Sequence, residues 1–584
     1  MLGRGDMICN AGMAVQVRGY PGNHGSTKGL KMNNLRWLCC LVVLAFLTVA
    51  ITHQPLQAAD DDVRVFIFAG QSNMVGSDSR DSLVDNHPPF KGAAEPQKDI
   101  RFSYNLGPSK SSDGWVAVGP VDHVFGPEMT FARKLKQHVK YPIAIIKDAW
   151  GGTTLVNDWK PAGPDNGKKL YARLMSQVAD RLKDLSDRGI KYRIEAMMWH
   201  QGENDMFNAE GIETYEKNLR NFIASVRKDL KTPRLKFFVG EISNKGVWGM
   251  DNRHRVAKIC VQQKAVVKAD PDVYFVPTSH LGFKIGRGVG LHYHFGTLGQ
   301  LQHGEAYVDH YLHAIGKPLP TSDRRFAAGD LPKAKTVKLF ILGGQRNMEG
   351  EEAYVSQIPK FGRFKTLGRD QEDVLYQYSL GGGVRQSLNW EPLGPVGYLG
   401  NFGPELSFGR AVKRTLKKGE VLAIYKFTHS GAQSIDWLPE GTDIPHRDLY
   451  KSFIAAIRTA RADLKAAGYA SELAGVFWHC GENDRALHQQ AKTYAANLKK
   501  LIDGTRKDLS APKLKWFITE QPVIPPDWAG KRTFLPVDKD LEALARADEN
   551  IKFIKTSHLP HRVVVFGTEG ILALGEEMAK ALGD

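Results

Sequence analysis

From residue 62 onward the chain alternates short, nearly continuous apolar runs with longer stretches whose apolar residues recur at helical spacing. The runs 63–69 (VRVFIFA), 143–146, 194–199, 235–239 and 273–276 are rich in β-branched and aromatic residues and too short for helices. They predict strands covered on both faces. The stretches 127–139, 168–188, 210–230, 255–269 and 298–315 predict helices, the first with Pro127 in its opening turn. Alternating strand and helix predicts a parallel sheet sandwiched between two helical layers. The polar blocks that punctuate this pattern fall at the carboxyl ends of the strands, where open α/β sheets build their sites.

The pattern occurs twice. The first strand breaks into Gly70-Gln71-Ser72-Asn73-Met74, and the run 337–343 (VKLFILG) breaks into Gly344-Gln345-Arg346-Asn347-Met348. Phe125-Gly126-Pro127-Glu128 returns as Phe402-Gly403-Pro404-Glu405, and Trp199-His200-Gln201-Gly202-Glu203-Asn204-Asp205 as Trp478-His479-Cys480-Gly481-Glu482-Asn483-Asp484. Phe295-Gly296-Thr297 returns as Phe566-Gly567-Thr568. Order is kept throughout, and the period is far longer than that of a solenoid. Each copy has about 250 residues, enough for a complete α/β domain with its own core. The expected domains are 62–316 and 334–584, joined by a proline- and charge-rich linker at 317–333.

Residues 1–59 do not read as fold. A basic start at Met32 to Arg36, an apolar run from Trp37 to Ile51 and the small residues Ala58-Ala59 have the layout of a secretory signal peptide, with Met32 as the true start. The apolar run is shorter than the ~20 residues of a spanning helix, so no stable membrane span is expected after cleavage. Cys9, Cys39 and Cys40 fall in this leader, leaving Cys260 and Cys480, one per copy, which is no disulfide framework. The formal charge is +16, with Lys and Arg spread over the predicted helices. Without a nucleic-acid motif, that charge predicts a solvated basic surface and no nucleic-acid partner.

A serine ending a buried strand on a glycine-tightened turn is where α/β hydrolases mount a nucleophile. Ser72 holds that position in the first copy. Arginine cannot attack a carbonyl, so Arg346 marks the second copy as a duplicate that has lost its chemistry. A serine hydroxyl needs a base, and His294 in Leu291-His292-Tyr293-His294-Phe295 is the candidate, with His292 as the alternative. The corresponding stretch of the second copy, Arg562-Val563-Val564-Val565, has neither histidine. His280, His292, His294 and His303 lack the carboxylate pattern of a metal site, and no cofactor is implied.

The Gly-Gln-Ser-Asn-Met block, Gly151-Gly152-Thr153, His200-Gln201-Gly202-Glu203 and the late histidine together resemble the sialate O-acetylesterase-type domain shared with carbohydrate esterase family 6, within the SGNH hydrolases. The resemblance covers nearly all of 62–316 and, in degenerate form, 334–584. It implies two flavodoxin-like α/β/α domains and metal-independent removal of O-acetyl groups from sugars, of acetylxylan or sialate type. SGNH enzymes usually carry an aspartate three residues before the histidine, but that position is Leu291 here. The orienting acid is then Glu203, or a backbone carbonyl serves in a dyad; Asp78 and Asp148 are weaker substitutes. The oxyanion donors expected are the Ser72 N–H, a glycine N–H from Gly151-Gly152, and a side-chain amide. Gln201 ranks above Asn204 because it changes to Cys480 in the second copy while Asn204 persists as Asn483.

The first reading is a secreted carbohydrate O-acetylesterase acting on an acetylated sugar, of undetermined oligomeric state. The alternative is a non-catalytic carbohydrate-binding or scaffold protein. A general esterase or lipase is disfavoured by the lack of a Gly-x-Ser-x-Gly elbow. Trp390, Trp437, Trp478 and Trp528 are candidate sugar-stacking faces, with core packing the more ordinary use.

Overall fold

The computed structural model describes residues 61–162, 167–243, 246–247, 250–285, 291–319, 336–442, 448–485, 488–523 and 535–583. The expected signal peptide, residues 320–333 of the expected linker 317–333, and Trp528 lie outside these. Among the described residues no helix is long and apolar enough to cross a membrane.

The first lobe is built on six principal strands: β1 (Val63–Gly70), β2 (Gln97–Leu106), β3 (Ile143–Ala149), β4 (Tyr192–His200), β5 (Lys236–Gly240) and β6 (Val273–Val276). Their spatial order is β6-β5-β4-β1-β3-β2, all parallel. The second lobe repeats this arrangement with β7 (Thr336–Gly344), β8 (Gln371–Leu380), β9 (Glu420–Thr428), β10 (Ala470–His479), β11 (Trp516–Thr519) and β12 (Ile551–Ile554). The doubly wound parallel sheet expected from the sequence is therefore present twice. From β1 the chain crosses to one side of the sheet and later to the other, so a crevice opens beyond the carboxyl end of β1.

β2 and β8 are strands that the sequence pattern does not predict; each pairs with an inner strand on one side and with two short antiparallel segments on the other, Lys110–Ser111 and Val116–Val118 on β2, Arg385–Gln386 and Glu391–Leu393 on β8. β2 carries Lys98, Asp99, Arg101 and Asn105, and those polar residues erase the apolar run that marks the inner strands.

Side chains alternate across each sheet. Val63, Val65, Ile67 and Ala69 face one helical layer, packing with Leu174, Trp199 and Phe222. Phe66 and Phe68 face the other, against Phe131, Tyr307 and Tyr311. Val337, Leu339 and Ile341, opposite Phe340 and Leu342, do the same in the second lobe. Trp390, Trp437 and Trp478 belong to that second core, which removes them as sugar-stacking faces.

One buried ion pair recurs in both lobes. Lys147 on β3 meets Glu128, the first residue of helix α2 (Glu128–His138), at 2.6 Å, and both side chains are almost fully buried. The other Glu128 oxygen accepts the Gly126 N–H at 3.1 Å. Lys426 and Glu405 repeat the pair at 2.9 Å, with Gly403 N–H on the same carboxylate. Burial pushes the Lys147 amine down, against the pull of Glu128. Removing one member leaves an uncompensated buried charge. Glu128→Ala is therefore expected to cost about 3–5 kcal/mol of unfolding free energy in denaturant titrations, and Glu128→Met with Lys147→Met is expected to restore most of it.

Candidate active site

The Ser72 turn forms because two other strand ends press against it. At Gly70 φ is +152°, and a Cβ there would stand 2.0 Å from the carbonyl oxygen of His200. Only glycine lets β1 end this close to β4, and Gln71 N–H then bonds that carbonyl at 3.0 Å. Ser72 opens the short helix α1 (Ser72–Val75), which stops at Gly76 with φ +89°. A Cβ at Gly76 would lie 1.8 Å from the Phe125 carbonyl oxygen. Ser72 is 4% exposed, and its Oγ makes no hydrogen bond among the described residues.

The chain after Ser72 is stitched to the segment that carries His294. Asn73 Oδ1 accepts the Phe295 N–H at 3.0 Å, and the Asn73 carbonyl accepts from Gln300 Nε2 at 2.8 Å. Arg80 N–H bonds Thr297 Oγ1 at 3.0 Å. Between these contacts His294 Nδ1 lies 3.2 Å from Asp78 Oδ2. His294 sits in a strand (Leu291–Phe295) that pairs antiparallel with Phe283–Ile285. The side chain of His292 lies outside the described residues.

Glu203 is not the carboxylate at the imidazole. Its Oε1 accepts from Asn73 Nδ2 at 2.7 Å and lies 3.1 Å from His200 Nε2, with all three side chains buried. Burial works against the Glu203 charge, but His200 and the Asn73 amide outweigh it and hold the carboxyl below its usual range. Glu203 thus anchors the Asn73 side chain, which in turn holds the backbone beside His294. Asp148 is likewise committed elsewhere, to Arg173 at 2.5 Å.

The amide ranking also reverses. Gln201 is fully buried, and its Nε2 donates to the Thr153 carbonyl at 2.9 Å and Asp205 at 2.6 Å. Asp205 further accepts the N–H groups of Leu155 and Val156, and burial pushes its carboxyl up to about 6 despite these donors. Gln201 is therefore part of the scaffold of the glycine loop. Asn204 is half-exposed; its Oδ1 accepts from Gln71 Nε2 at 2.9 Å, leaving the Nδ2 donors for another acceptor. A Cβ at Gly151 would stand 3.4 Å from Ser72 Cβ, so this loop flanks the serine, and the next residue, Gly152 (φ +74°), faces open space. His294 and Asp78 meet, while Gly151 flanks Ser72 and Asn204 bonds the neighbouring Gln71; Glu203 and Gln201 are buried.

A family model described as carbohydrate esterase, sialic acid-specific acetylesterase matches residues 62–313 and again 336–584. The chain belongs to this family. A probable carbohydrate esterase of Arabidopsis thaliana is 26% identical over 223 residues, covering 35% of this chain and 78% of that protein. Among solved structures, an Arabidopsis thaliana protein is 23% identical over 43% of this chain and 98% of its own, with a TM-score of 0.33. A carbohydrate acetylesterase from Xanthomonas citri is 17% identical over 45% of this chain and 58% of its own, also at 0.33.

The second esterase-family domain keeps the frame and carries other residues at the positions of Ser72, His294 and Gly151. Asn347 Oδ1 accepts the Phe566 N–H at 2.9 Å, and its Nδ2 donates to Glu482 at 2.7 Å. Tyr354 N–H bonds Thr568 Oγ1 at 2.9 Å, as Arg80 bonds Thr297. At the place of Asp78 stands Glu352, held by Arg562 at 2.9 Å, and at the place of His294 stands Val565. Arg346 is buried where Ser72 would be, 3.4 Å from Glu351, whose carboxylate accepts from Ser430 Oγ at 2.9 Å. Ser430 occupies the position of Gly151. The first lobe covers this site: a Cβ at Gly381 would meet the His280 ring at 3.2 Å, and a cavity of only about 70 Å³ remains, lined by His280, Glu349, Glu351 and Tyr398.

Asp78 and Glu203 can be told apart by kinetics. Asp78→Asn is expected to lower kcat about 10²–10⁴-fold with KM little changed. Glu203→Gln is expected to lower the unfolding midpoint as well as the rate, because it loosens a buried anchor.

Proposed function

We propose that the first domain is a carbohydrate O-acetylesterase working through a Ser72–His294–Asp78 triad. The observation that carries this reading is the His294–Asp78 contact, 3.2 Å long, on the segment that continues from Ser72. With the proton of Nδ1 directed at Asp78, Nε2 takes the Ser72 proton as Oγ attacks the acetyl carbonyl. The oxyanion is held by the N–H groups of Ser72 and Gly151 or Gly152 together with Asn204 Nδ2, donors fixed before charge develops. His294 returns the proton to the departing sugar hydroxyl, leaving an acetyl ester on Ser72. Water, deprotonated by the same imidazole, releases acetate.

The second domain is read as catalytically silent, since Arg346, Val565 and Ser430 replace the nucleophile, the base and the glycine beside them. The family description and the relative of Arabidopsis thaliana support an acetylated sugar as substrate; acetylated xylan and O-acetyl sialate are the two classes to assay. Export with removal of residues 1–59 follows from the leader pattern.

Hydrolysis of an aryl acetate and of both acetylated sugars tests the mechanism. Ser72→Ala and His294→Ala are expected to lose at least about 10³-fold in kcat/KM, and Arg346→Ala to keep the wild-type rate. Activity surviving Ser72→Ala would remove the nucleophile assignment, and a wild type inert toward every acetate would favour the non-catalytic binding protein. Amino-terminal sequencing of protein exported by a bacterial host is expected to begin just after Ala59.

A further inference from the structure

We propose that the second domain carries a separate binding site for a carboxylate-bearing polysaccharide, on its outer helical layer and remote from both Ser72 and Arg346. A cleft of about 650 Å³ opens where helix α9 (Leu449–Ala466) turns through Gly468 into β10, and it is lined by Arg458, Arg461, Lys465, Tyr469 and Ser471. The three cations are spaced i, i+3 and i+7, which puts them on one helix face. Arg458 donates to the Asp508 backbone carbonyl at 2.6 Å, while the Asp508 carboxylate is taken by the Tyr450 hydroxyl. The neighbouring acids are engaged elsewhere: Asp463 accepts from Gln377, and Glu472 pairs with Lys338. Among the described residues none of the three cations has a carboxylate partner.

The ordinary explanation for basic residues here is the partial negative charge at a helix carboxyl end. The first domain removes it. Helix α3 (Leu170–Asp187) is the counterpart of α9, and its positions equivalent to Arg458, Arg461 and Lys465 hold Ala179, Leu182 and Ser186. It ends with Asp184 and Asp187 in the same turn, where α9 keeps only Asp463. The two helices have the same length and the same packing partner, so the fold does not require the cations. They stand in the domain that lacks the serine and histidine of the first.

The cleft lies at the amino end of β10, whereas the altered catalytic block lies at its carboxyl end. Ten residues of strand separate the two, a span of roughly 30 Å. Guanidinium groups one helical turn apart suit a chain with repeating carboxylates, which they bind in bidentate fashion. The aromatic residue of the lining, Tyr469, is packed into the second core, leaving no ring face open for stacking bases, which disfavours single-stranded nucleic acid. That the anion is a sugar chain rests on the acetylesterase reading; that the cleft takes a polyanion does not.

Titration of the full chain with oligogalacturonate, neutral xylan oligomers and single-stranded DNA of matched charge tests the site. The comparison variant is Arg458→Ala with Arg461→Leu and Lys465→Ser, which installs the first domain's own residues. Its thermal unfolding is followed alongside, and Ser72→Ala is titrated as well. Oligogalacturonate is expected to bind wild type and Ser72→Ala alike, at least about tenfold more weakly to the triple variant, and more weakly as salt rises. Neutral xylan is expected to show no dependence on the three residues. Equal binding by a folded triple variant would overturn the proposal, as would tighter binding of DNA than of oligogalacturonate. Acetate release by the wild type is measured separately, so loss of the esterase reading and loss of this site give different results.

Discussion

The Asn73 side chain is the constraint on which the candidate site depends. Its two polar ends are satisfied by groups far from it in sequence: the Phe295 N–H on one side and the Glu203 carboxylate on the other. Because all of this is buried, leaving either end unmet costs the full desolvation of an amide. The backbone beside His294 is therefore held one residue from Ser72, and Asp78 needs only the next few residues of chain to reach the imidazole. The same clamp at Asn347 persists where no catalysis is expected. Its first role is to close the carboxyl end of the sheet; the chemistry is mounted on it.

That separation of frame from chemistry explains how the second domain diverged. The clamp, the buried Lys–Glu pair and the glycine turn all survive there, because each closes a junction between strand ends. The groups that face the crevice changed instead. Arg346 and Glu351 fill the space a substrate would need, and the His280 turn of the first lobe closes over them. Charge was redistributed as well, with cations gathered on an outer helix whose counterpart in the first domain has none at those positions.

The strands, their parallel order and the duplication were legible in the sequence, because apolar runs on inner strands and glycine at tight junctions are local necessities. The strand 97–106 was not, since Lys98, Asp99 and Arg101 interrupt its apolar run. The carboxylate expected at the imidazole bonds elsewhere. Glu203 stands in a conspicuous block, but in both copies this acid is buried against the turn asparagine and the block histidine, as Glu203 is against Asn73 and His200. Asp78 lies only six residues after Ser72, but no local pattern links it to His294, 216 residues away. Gln201 misled in the opposite direction: it changes to Cys480 because its network with Thr153 and Asp205 was rebuilt, with Ser434 now bonding Asp484.

By itself, the sequence determined where the polypeptide must turn: a glycine, a polar residue and a short helix at the end of each central strand, serine in one copy and arginine in the other. Those features depend on neighbours in the chain. Which carboxylate meets His294, which amide is left to receive a developing charge, and whether the second crevice stays open were decided only by tertiary structure. The His294–Asp78 contact spans 216 residues and the Asn73–Glu203 contact 130. At such separations the partner of a buried polar group is chosen by the packing of the sheet ends, and nothing local to either residue specifies it.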